Sequence, residues 1–160
     1  MRPLANLYDV ELQRDEDDAP GYAASYARVG QLVGGEQIGM SVYELPPGES
    51  ICPYHYEATD EEWLICLAGA PRLRVPDGEQ VLEPGDVVCF PAGEAGAHKV
   101  TAGEETARVA IFSTKSAVGV AVYPDSKKLG VWYQDRHHMV RLEPQLDYFD
   151  GETEARNSAT

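Results

Sequence analysis

Short apolar runs separated by turn signals dominate this chain and predict β-strands along most of its length. The runs are rich in Val, Ile, Leu, Tyr and Phe, and the turns between them include Gly34-Gly35, Pro46-Pro47-Gly48 and Pro76-Asp77-Gly78. The last of these is typical of a tight hairpin, because glycine readily takes the positive φ that such a turn needs. Short strands with frequent turns favour an all-β sandwich or barrel.

The pattern places ten strands between these turns and one further candidate strand at 131–133. They are predicted near residues 24–33, 37–44, 51–57, 62–68, 71–75, 79–83, 86–90, 97–101, 106–113 and 118–123. A short helix competes at one place, because residues 59–62 resemble a capping box and Gly69 would end a helix. The residues between are apolar on every face, which favours a central strand.

The chain of 160 residues is long enough for one domain with a proper core. We expect an acidic N-terminal arm over residues 1–20 that packs on a neighbour, a β-barrel over residues 21–125, and an extension over residues 126–160. The end of the extension, from Gly151 onward, is polar and is expected to fray.

The net charge of the chain limits the classes of partner that it can bind. The 13 basic and 27 acidic residues give a net charge of −14, which would repel nucleic acid and an anionic membrane surface. No segment has the apolar run of a secretory leader or a membrane span, so a cytoplasmic protein is expected. The cysteines Cys52, Cys66 and Cys89 are odd in number, which favours reduced thiols.

Imidazoles and carboxylates fall at positions that would bring them together. Alternation along strands puts His55 and Glu57 on one face, and Glu62 and His98 on faces of their own strands that can point the same way. Two bare carboxylates in an apolar barrel would be costly, and a divalent cation would offset that cost. The alternative is that Glu57 and Glu61 face solvent, His55 is a half-buried strand histidine, and nothing binds.

The spacing of these residues carries a family resemblance. Gly48, His55, Glu57, Glu62 and Gly69 fall on one motif, with six residues between Glu62 and Gly69. From residue 43 to residue 113 the chain resembles the cupin superfamily, whose first motif this is. The resemblance implies a double-stranded β-helix, or jelly-roll barrel, with a metal site.

A second motif of that superfamily follows further along the chain. Gly85, Pro91, Gly93 and His98 match it, with five residues between Gly85 and Pro91. The segment 122–132 is also similar to a subgroup of small bacterial single-cupin proteins described as sugar-phosphate isomerase-like. The resemblance implies His55, Glu57, Glu62 and His98 as metal ligands.

The chain departs from the family pattern at one of the expected metal-binding positions. Glu57 stands where the family has its second histidine, and Ala102 stands where an asparagine is expected. Two histidines and two carboxylates leave a divalent ion neutral, which weakens it as a Lewis acid and favours oxygen-preferring metals. Three roles for Glu57 stay open: a fourth ligand, a general base beside three ligands, or the mark of a site that no longer binds metal. The expected metal is Mn, Fe, Zn or Ni.

The expected function is a metal-dependent enzyme acting on a small polar molecule, sugar-like or carboxylate-like. Isomerisation or epimerisation, lyase chemistry and non-haem iron dioxygenation stay open, because the fold does not fix the reaction. The other reading is a non-catalytic binding or sensing module with a degenerate metal site. Exposed barrel edges predict a homodimer.

Further residues are candidates for a substrate pocket. Tyr43, Cys66 and Arg108 are predicted to line it, and Arg108 lies roughly where related 2-oxoglutarate oxygenases carry a co-substrate arginine. The competing reading of Arg108 is a strand residue that faces solvent. A group of basic residues offers a pocket for an anion, although surface positions are the default for them: Arg72, Arg74, Lys99 and Lys115.

Overall fold

A computed structural model describes residues 4–152 of the chain, and its regular secondary structure is almost entirely β-strand. The elements in chain order are β1 (Ser25–Ala27), α1 (Val29–Leu32), β2 (Ile38–Leu45), β3 (Tyr56–Glu57), β4 (Glu62–Ala68), β5 (Arg72–Val75), β6 (Gly78–Val81), β7 (Val87–Phe90), β8 (Lys99–Thr101), β9 (Ala107–Thr114), β10 (Val118–Tyr123), β11 (Lys128–Tyr133) and β12 (Arg136–Arg141). A single 3₁₀ turn, Glu94–Gly96, precedes β8. The all-β prediction is confirmed.

The strands form three antiparallel sheets that together make the jelly-roll barrel. The largest sheet has the order β1-β2-β9-β4-β7, the second has the order β12-β11-β10-β3, and the third has the order β6-β5-β8. Strands that are neighbours in a sheet are often distant in sequence, as in the pair of β2 with β9. The pairing of β4 with β7, which places Glu62 opposite Phe90, brings the two sequence motifs together at one end of the barrel.

The predicted alternation of faces holds in the large sheet. On β2, Leu45 packs in the interior of the barrel, whereas Val42 packs on the outer face. On β4, Leu64 and Cys66 are buried in that interior cluster, and Ile65 packs outside. Because the side-chain period of a strand is two residues, the same alternation decides which residues of β2, β4 and β9 face the interior.

The N-terminal arm covers the outer face of this sheet. Leu7, Val10 and Leu12 pack against the buried cluster that contains Val42 and Ala110. The chain therefore buries this face with its own arm. This contact also holds the acidic residues that follow Leu12 close to one mouth of the barrel.

Two predicted strands differ from the observed elements. The strand expected over 24–33 ends at Ala27, and α1 follows, because Gly30 lies so close to β2 that a Cβ there would be 2.8 Å from the Met40 nitrogen. The strand expected over 51–57 contains only its last two residues as β3, since Pro53 has no N–H to donate to a sheet ladder. The strands over 62–68 and 118–123 have the predicted bounds.

The extension after residue 125 adds two strands to the barrel. β11 pairs with β10 along its whole length, and β12, which the sequence pattern did not predict, pairs with β11. The expected fraying concerns residues 151–160, of which 153–160 lie outside the described residues. Within residues 4–152 no helix is long and apolar enough to cross a membrane.

Candidate metal centre

The two sequence motifs meet at a short antiparallel bridge between His55 and His98. The His55 amide donates to the His98 carbonyl at 3.1 Å, and the His98 amide donates to the His55 carbonyl at 2.8 Å. The Gly93 amide also donates to the Glu57 carbonyl at 2.7 Å, so the turn of the second motif is tied to the first. Both imidazoles are thus positioned by backbone, next to each other and on one side of the bridge.

Each imidazole is oriented by a hydrogen bond from its Nδ1 atom. In His55, Nδ1 donates to the Pro53 carbonyl at 3.0 Å, and in His98 it donates to the Gly96 carbonyl at 2.9 Å. A carbonyl can only accept, so the proton of each neutral ring is on Nδ1 and the lone pair is on Nε2. Metal-binding histidines characteristically have this outer hydrogen bond.

The Nε2 atom of each imidazole lies close to a carboxylate. Glu62 Oε2 lies 3.9 Å from His55 Nε2 and 3.7 Å from His98 Nε2. One ligand atom from each of these three side chains lies within 4.8 Å of the other two. Two atoms that each lie about 2 Å from a common ion are at most about 4 Å apart. Both distances to Glu62 therefore already fit a divalent transition metal, and a small side-chain movement would bring the whole set into range.

Glu57 lies at the edge of this cluster. Its Oε1 is 3.9 Å from His55 Nε2, but the compact set of three ligand atoms does not include it. Of the three roles that the sequence leaves open for Glu57, this position suits a neighbouring base at least as well as a fourth ligand. The structure thus brings together the four predicted metal-site residues, with His55, Glu62 and His98 as the inner group.

Burial shifts the protonation of every member of the cluster toward its neutral form. Burial, and then the charge of Asp60, raises the pKa of Glu57 to about 7. Burial, followed by the charges of Glu57 and Asp60, raises the pKa of Glu62 to about 7. Burial and then the neighbouring His55 lower the pKa of His98 to about 4. A divalent cation would stabilise both ionised carboxylates and neutral imidazoles at neutral pH.

Aromatic rings hold the imidazoles on two sides. The Phe90 ring stacks on His98, with centroids 3.7 Å apart and planes 9° apart, and the Tyr123 ring lies 5.8 Å from His55. Sequence reasoning missed both contacts, because Phe90 and Tyr123 look like ordinary strand residues in the pattern. The rings exclude water from one face of each imidazole and limit its rotation.

Two further polar residues of the site were also missed. Asp60 is buried and accepts hydrogen bonds from the Thr114 hydroxyl and the Ser116 amide, both at 2.9 Å. Cys52 Sγ lies 3.5 Å from His55 Nδ1, and burial, followed by the charges of Glu62 and Glu57, raises the pKa of this thiol to about 12. Cys52 is therefore a neutral thiol, and Asp60 is held in place by the last residue of β9 and the loop that follows it.

The cluster lies in a cavity of about 490 Å³ at the mouth of the barrel. Of the three predicted pocket residues, Tyr43 lines this cavity. Cys66 is instead buried in the interior core, and Arg108 faces the opposite side of the sheet. There Arg108 donates to the Tyr8 carbonyl at 3.0 Å and lies 3.7 Å from Glu44. Cys66 shares the inward face of β4 with Glu62 but lies four residues further along the strand, inside the core, and Arg108 lies on the outward face of β9.

Parts of the chain outside the two motifs complete the walls. Asp15 and Asp18 of the arm and Trp132 of β11 line the same cavity. The Tyr26 hydroxyl donates to Asp15 at 3.1 Å, which fixes the arm at the rim. The acidic run was recognisable in the sequence, but its position at the cavity depends on the arm folding back over the barrel.

A second cavity of about 390 Å³ lies nearby and differs in charge. It is lined by Arg72, Arg74 and Lys99, and Tyr22 lines both cavities. Arg74 forms two hydrogen bonds with Asp125, at 2.6 and 3.0 Å. Three of the four basic residues singled out in the sequence thus lie together, outside the cavity that holds the histidines.

Comparison with known proteins agrees with this geometry. Residues 41–113 match the model of the cupin domain family. No curated protein sequence matches the chain. This segment contains both motifs and all four predicted metal-site residues, so the family resemblance seen in the sequence is confirmed.

Solved structures share the fold over most of the chain. A protein from Acidithiobacillus ferrooxidans, provisionally assigned as a sugar phosphate isomerase, is 22% identical, with a TM-score of 0.79 over 88% of this chain and 91% of its own. A sugar phosphate isomerase from a cupin superfamily, from Silicibacter pomeroyi, is 23% identical, with a TM-score of 0.79 over 92% and 98%.

A third structure has a different chemistry in its name. The polyketide cyclase RemF from Streptomyces resistomycificus is 22% identical, with a TM-score of 0.59 over 71% of this chain and 80% of its own. At these identities the likeness establishes the fold, and different activities occur on it. The activity must be argued from the site itself.

Proposed function

Because residues 41–113 are a cupin domain that gathers two histidines and two carboxylates at one mouth, we propose that the protein is a divalent-metal-dependent enzyme acting on a small molecule. The observation that carries the proposal is the inner group of His55, Glu62 and His98. Its three ligand atoms lie within 4.8 Å of one another, and both imidazoles present Nε2 to the cavity.

Three residues of the site would bind the metal, and Glu57 would transfer protons. His55, Glu62 and His98 would hold the ion, which when bound supplies Lewis-acid polarisation of a substrate oxygen. Glu57 lies beside them, with Oε1 3.9 Å from His55 Nε2, where its carboxylate would accept a proton from the substrate. A general base next to a polarised oxygen supports isomerisation, epimerisation or elimination.

The oxygenase alternative has less support from the geometry. Its 2-oxoglutarate-dependent form would need an arginine for the acidic co-substrate, and Arg108, which lies roughly at that place in the sequence, instead contacts the N-terminal arm at Tyr8. Arg28 is the one arginine among the residues lining the metal cavity, and its guanidinium lies over the Tyr26 ring at 5.2 Å. Isomerase or lyase chemistry is therefore the better-supported reaction class.

A non-catalytic binding module is the second candidate. It is favoured by Glu57 lying outside the compact ligand group, which is what a lost fourth ligand would produce. In that case the cavity would still bind a small molecule, but the protein would not retain a metal.

The homodimer is also still a proposal: β12 is an open edge on which Met139 and Val140 are 45% and 47% exposed.

The test is the metal content of the protein purified without a histidine tag, measured by plasma mass spectrometry. Near one equivalent of Mn, Fe, Zn or Ni per chain, lost in His55→Ala, supports the enzyme. Metal-free protein that does not reload with any of these ions would overturn the proposal in favour of the binding module. Size-exclusion chromatography with light scattering on the same sample decides between monomer and homodimer.

A further inference from the structure

The cavity around the metal centre is strongly acidic at its walls as well as at its centre. Five carboxylic acids line it: Asp15, Asp18, Glu57, Asp60 and Glu62. Arg28 is the single arginine or lysine among the lining residues. A divalent ion would offset two of these charges, so the lining stays net negative even in the loaded protein. A cleft with one sign of charge and low-dielectric walls concentrates molecules of the opposite sign and repels those of its own.

Aromatic rings make up much of the remaining wall. Tyr22, Tyr26, Tyr43, Tyr123 and Trp132 all line the cavity. Rings of this kind combined with carboxylates are the chemistry that recognises uncharged or positively charged organic groups, because the face of an aromatic ring carries negative charge. They provide no hydrogen-bond fork or positive charge for a phosphate.

The position of Trp132 depends on a glycine. Its ring lies across Gly130, where a Cβ would approach the ring carbon Cη2 to 2.3 Å. Gly119, the strand partner of Trp132, is also a glycine and lines the cavity. These two glycines leave room for the indole against the sheet at the cavity wall.

The basic residues that would attract a phosphate lie in the other cavity. Arg72, Arg74 and Lys99 line that second cavity, which lacks the two histidines. Lys99 lies over the Tyr22 ring, 5.1 Å from its centroid, and Arg74 is paired with Asp125. An anionic substrate would therefore meet repulsion at the centre where the chemistry occurs.

We propose that the substrate of the metal centre is a neutral or positively charged small molecule, and that Asp15 and Asp18 of the arm exclude sugar phosphates and other anions. This inference rests on the proposed function, since it concerns the substrate of that same site. It also separates this protein in substrate class from the structural neighbours named for sugar phosphates, with which it shares the fold.

The test compares three probes of similar size and methyl-covered shape that differ in charge: tetramethylammonium, tert-butanol and pivalate. The chain has two tryptophans, and Trp63 stacks on Phe112 on the outer face of the sheet, so Trp63→Phe leaves Trp132 as a fluorescent reporter in the cavity. Titrations of the protein as purified should give binding in the order cation, neutral molecule, anion. Glyceraldehyde phosphate should behave like pivalate.

A matched pair of variants isolates the arm. Asp15→Asn with Asp18→Asn should reduce the preference for tetramethylammonium over pivalate about three- to tenfold, the size expected for nearby charges in a partly screened cavity. Glu16→Gln with Asp17→Asn removes the same number of charges from the same arm at residues that do not line the cavity, and should change the preference less than twofold. Equal effects of the two changes, or tighter binding of either anion, would overturn the inference.

Failure of this inference can be told apart from failure of the proposed function. Full metal content with no charge preference refutes the substrate class alone. A cation preference in protein that never retains metal refutes the enzyme alone. The same titrations after chelation separate the two, because a preference set by Asp15 and Asp18 should persist without the metal.

Discussion

Two neighbouring cavities of this barrel have opposite charge. The larger, of about 490 Å³, holds five carboxylic acids and both site histidines, whereas the smaller, of about 390 Å³, holds three basic residues and Glu79. Tyr22 lines both. The chain carries a net charge of −14, yet its charges are not evenly spread at this end of the barrel. The local arrangement, rather than the net charge, therefore decides what each cavity can bind.

The difference between the cavities extends to burial. The His98 and Glu62 side chains are 3% and 15% exposed, whereas those of Arg72 and Arg74 are 49% and 44% exposed. The site histidines and glutamates of the first cavity are poorly solvated and shift in pKa, whereas the basic side chains of the second interact through solvent. Changes in the acidic cavity should have large effects, and changes in the basic cavity small ones.

The largest effect is expected from His98→Ala, which removes one of the three inner ligands. Metal retention should be lost, a fall in affinity of at least about a hundredfold, because two remaining ligands hold a divalent ion weakly. His137→Ala is the matched control, since His137 is exposed on β12. Isothermal titration calorimetry with Zn²⁺ measures the metal affinity of both variants. Wild-type affinity in His98→Ala would refute the assigned centre.

The next effect concerns the residue that departs from the family pattern. Glu57→His adds a third imidazole beside His55, and should raise the affinity for Zn²⁺ or Ni²⁺ at least about tenfold, since imidazole suits these ions better than a carboxylate does. Competition with a chromophoric chelator gives the affinity. An unchanged value would place residue 57 outside the ligand shell and leave Glu57 the role of base.

A smaller effect is expected on the pH dependence of stability in metal-free protein. The pKa of Glu62 rises from 4.5 to about 7 on folding, so the folded chain binds this proton more tightly than the unfolded chain does. Its contribution is fully present below pH 4.5 and is lost as pH rises through about 7. The lowered pKa of His98 acts in the opposite direction between about 4 and 6.5, so total stability alone does not isolate Glu62.

The variant Glu62→Gln isolates it, because glutamine resembles the protonated carboxyl at every pH. As pH rises from mildly acidic to mildly alkaline, the free energy of unfolding measured in urea should change in favour of Glu62→Gln relative to wild type by on the order of 2 kcal/mol. Saturating metal should abolish the shift through stabilisation of the ionised carboxylate. A constant difference between the two proteins across this range would show that Glu62 is not destabilised by burial.

The smallest effect belongs to the basic cavity. Arg74→Ala removes an exposed ion pair with Asp125 and the packing of the guanidinium over Tyr54, 3.9 Å from the ring centroid. Stability should fall by less than about 1 kcal/mol, since exposed pairs contribute little, and metal content should not change. Loss of metal in this variant would mean that the two cavities are not independent.

The sequence predicted the parts of the fold and site that depend on local pattern. Alternation and turns gave the strands, and the spacing of His55, Glu57, Glu62 and His98 gave the residues that meet at the barrel mouth. These follow from side-chain period and motif spacing, which a single sequence displays directly.

The remainder depends on long-range packing. Phe90 stacking on His98 and Asp60 bonding to Thr114 join residues that no local pattern connects. Arg108 points outward because of its register on β9, where it lies opposite Glu44. The arm and Trp132 reach the cavity only because both ends of the chain fold back onto the barrel, which the composition of those segments does not indicate.

The most direct measurement is anomalous diffraction from crystals grown with Mn²⁺ or Zn²⁺, collected at the absorption edge of the metal. The account predicts a single strong peak about 2 Å from His55 Nε2, His98 Nε2 and Glu62 Oε2, with Glu57 beside it as ligand or base. A peak elsewhere on the chain, or none at these three atoms in crystals that contain the metal, would contradict the metal centre on which the proposed function depends.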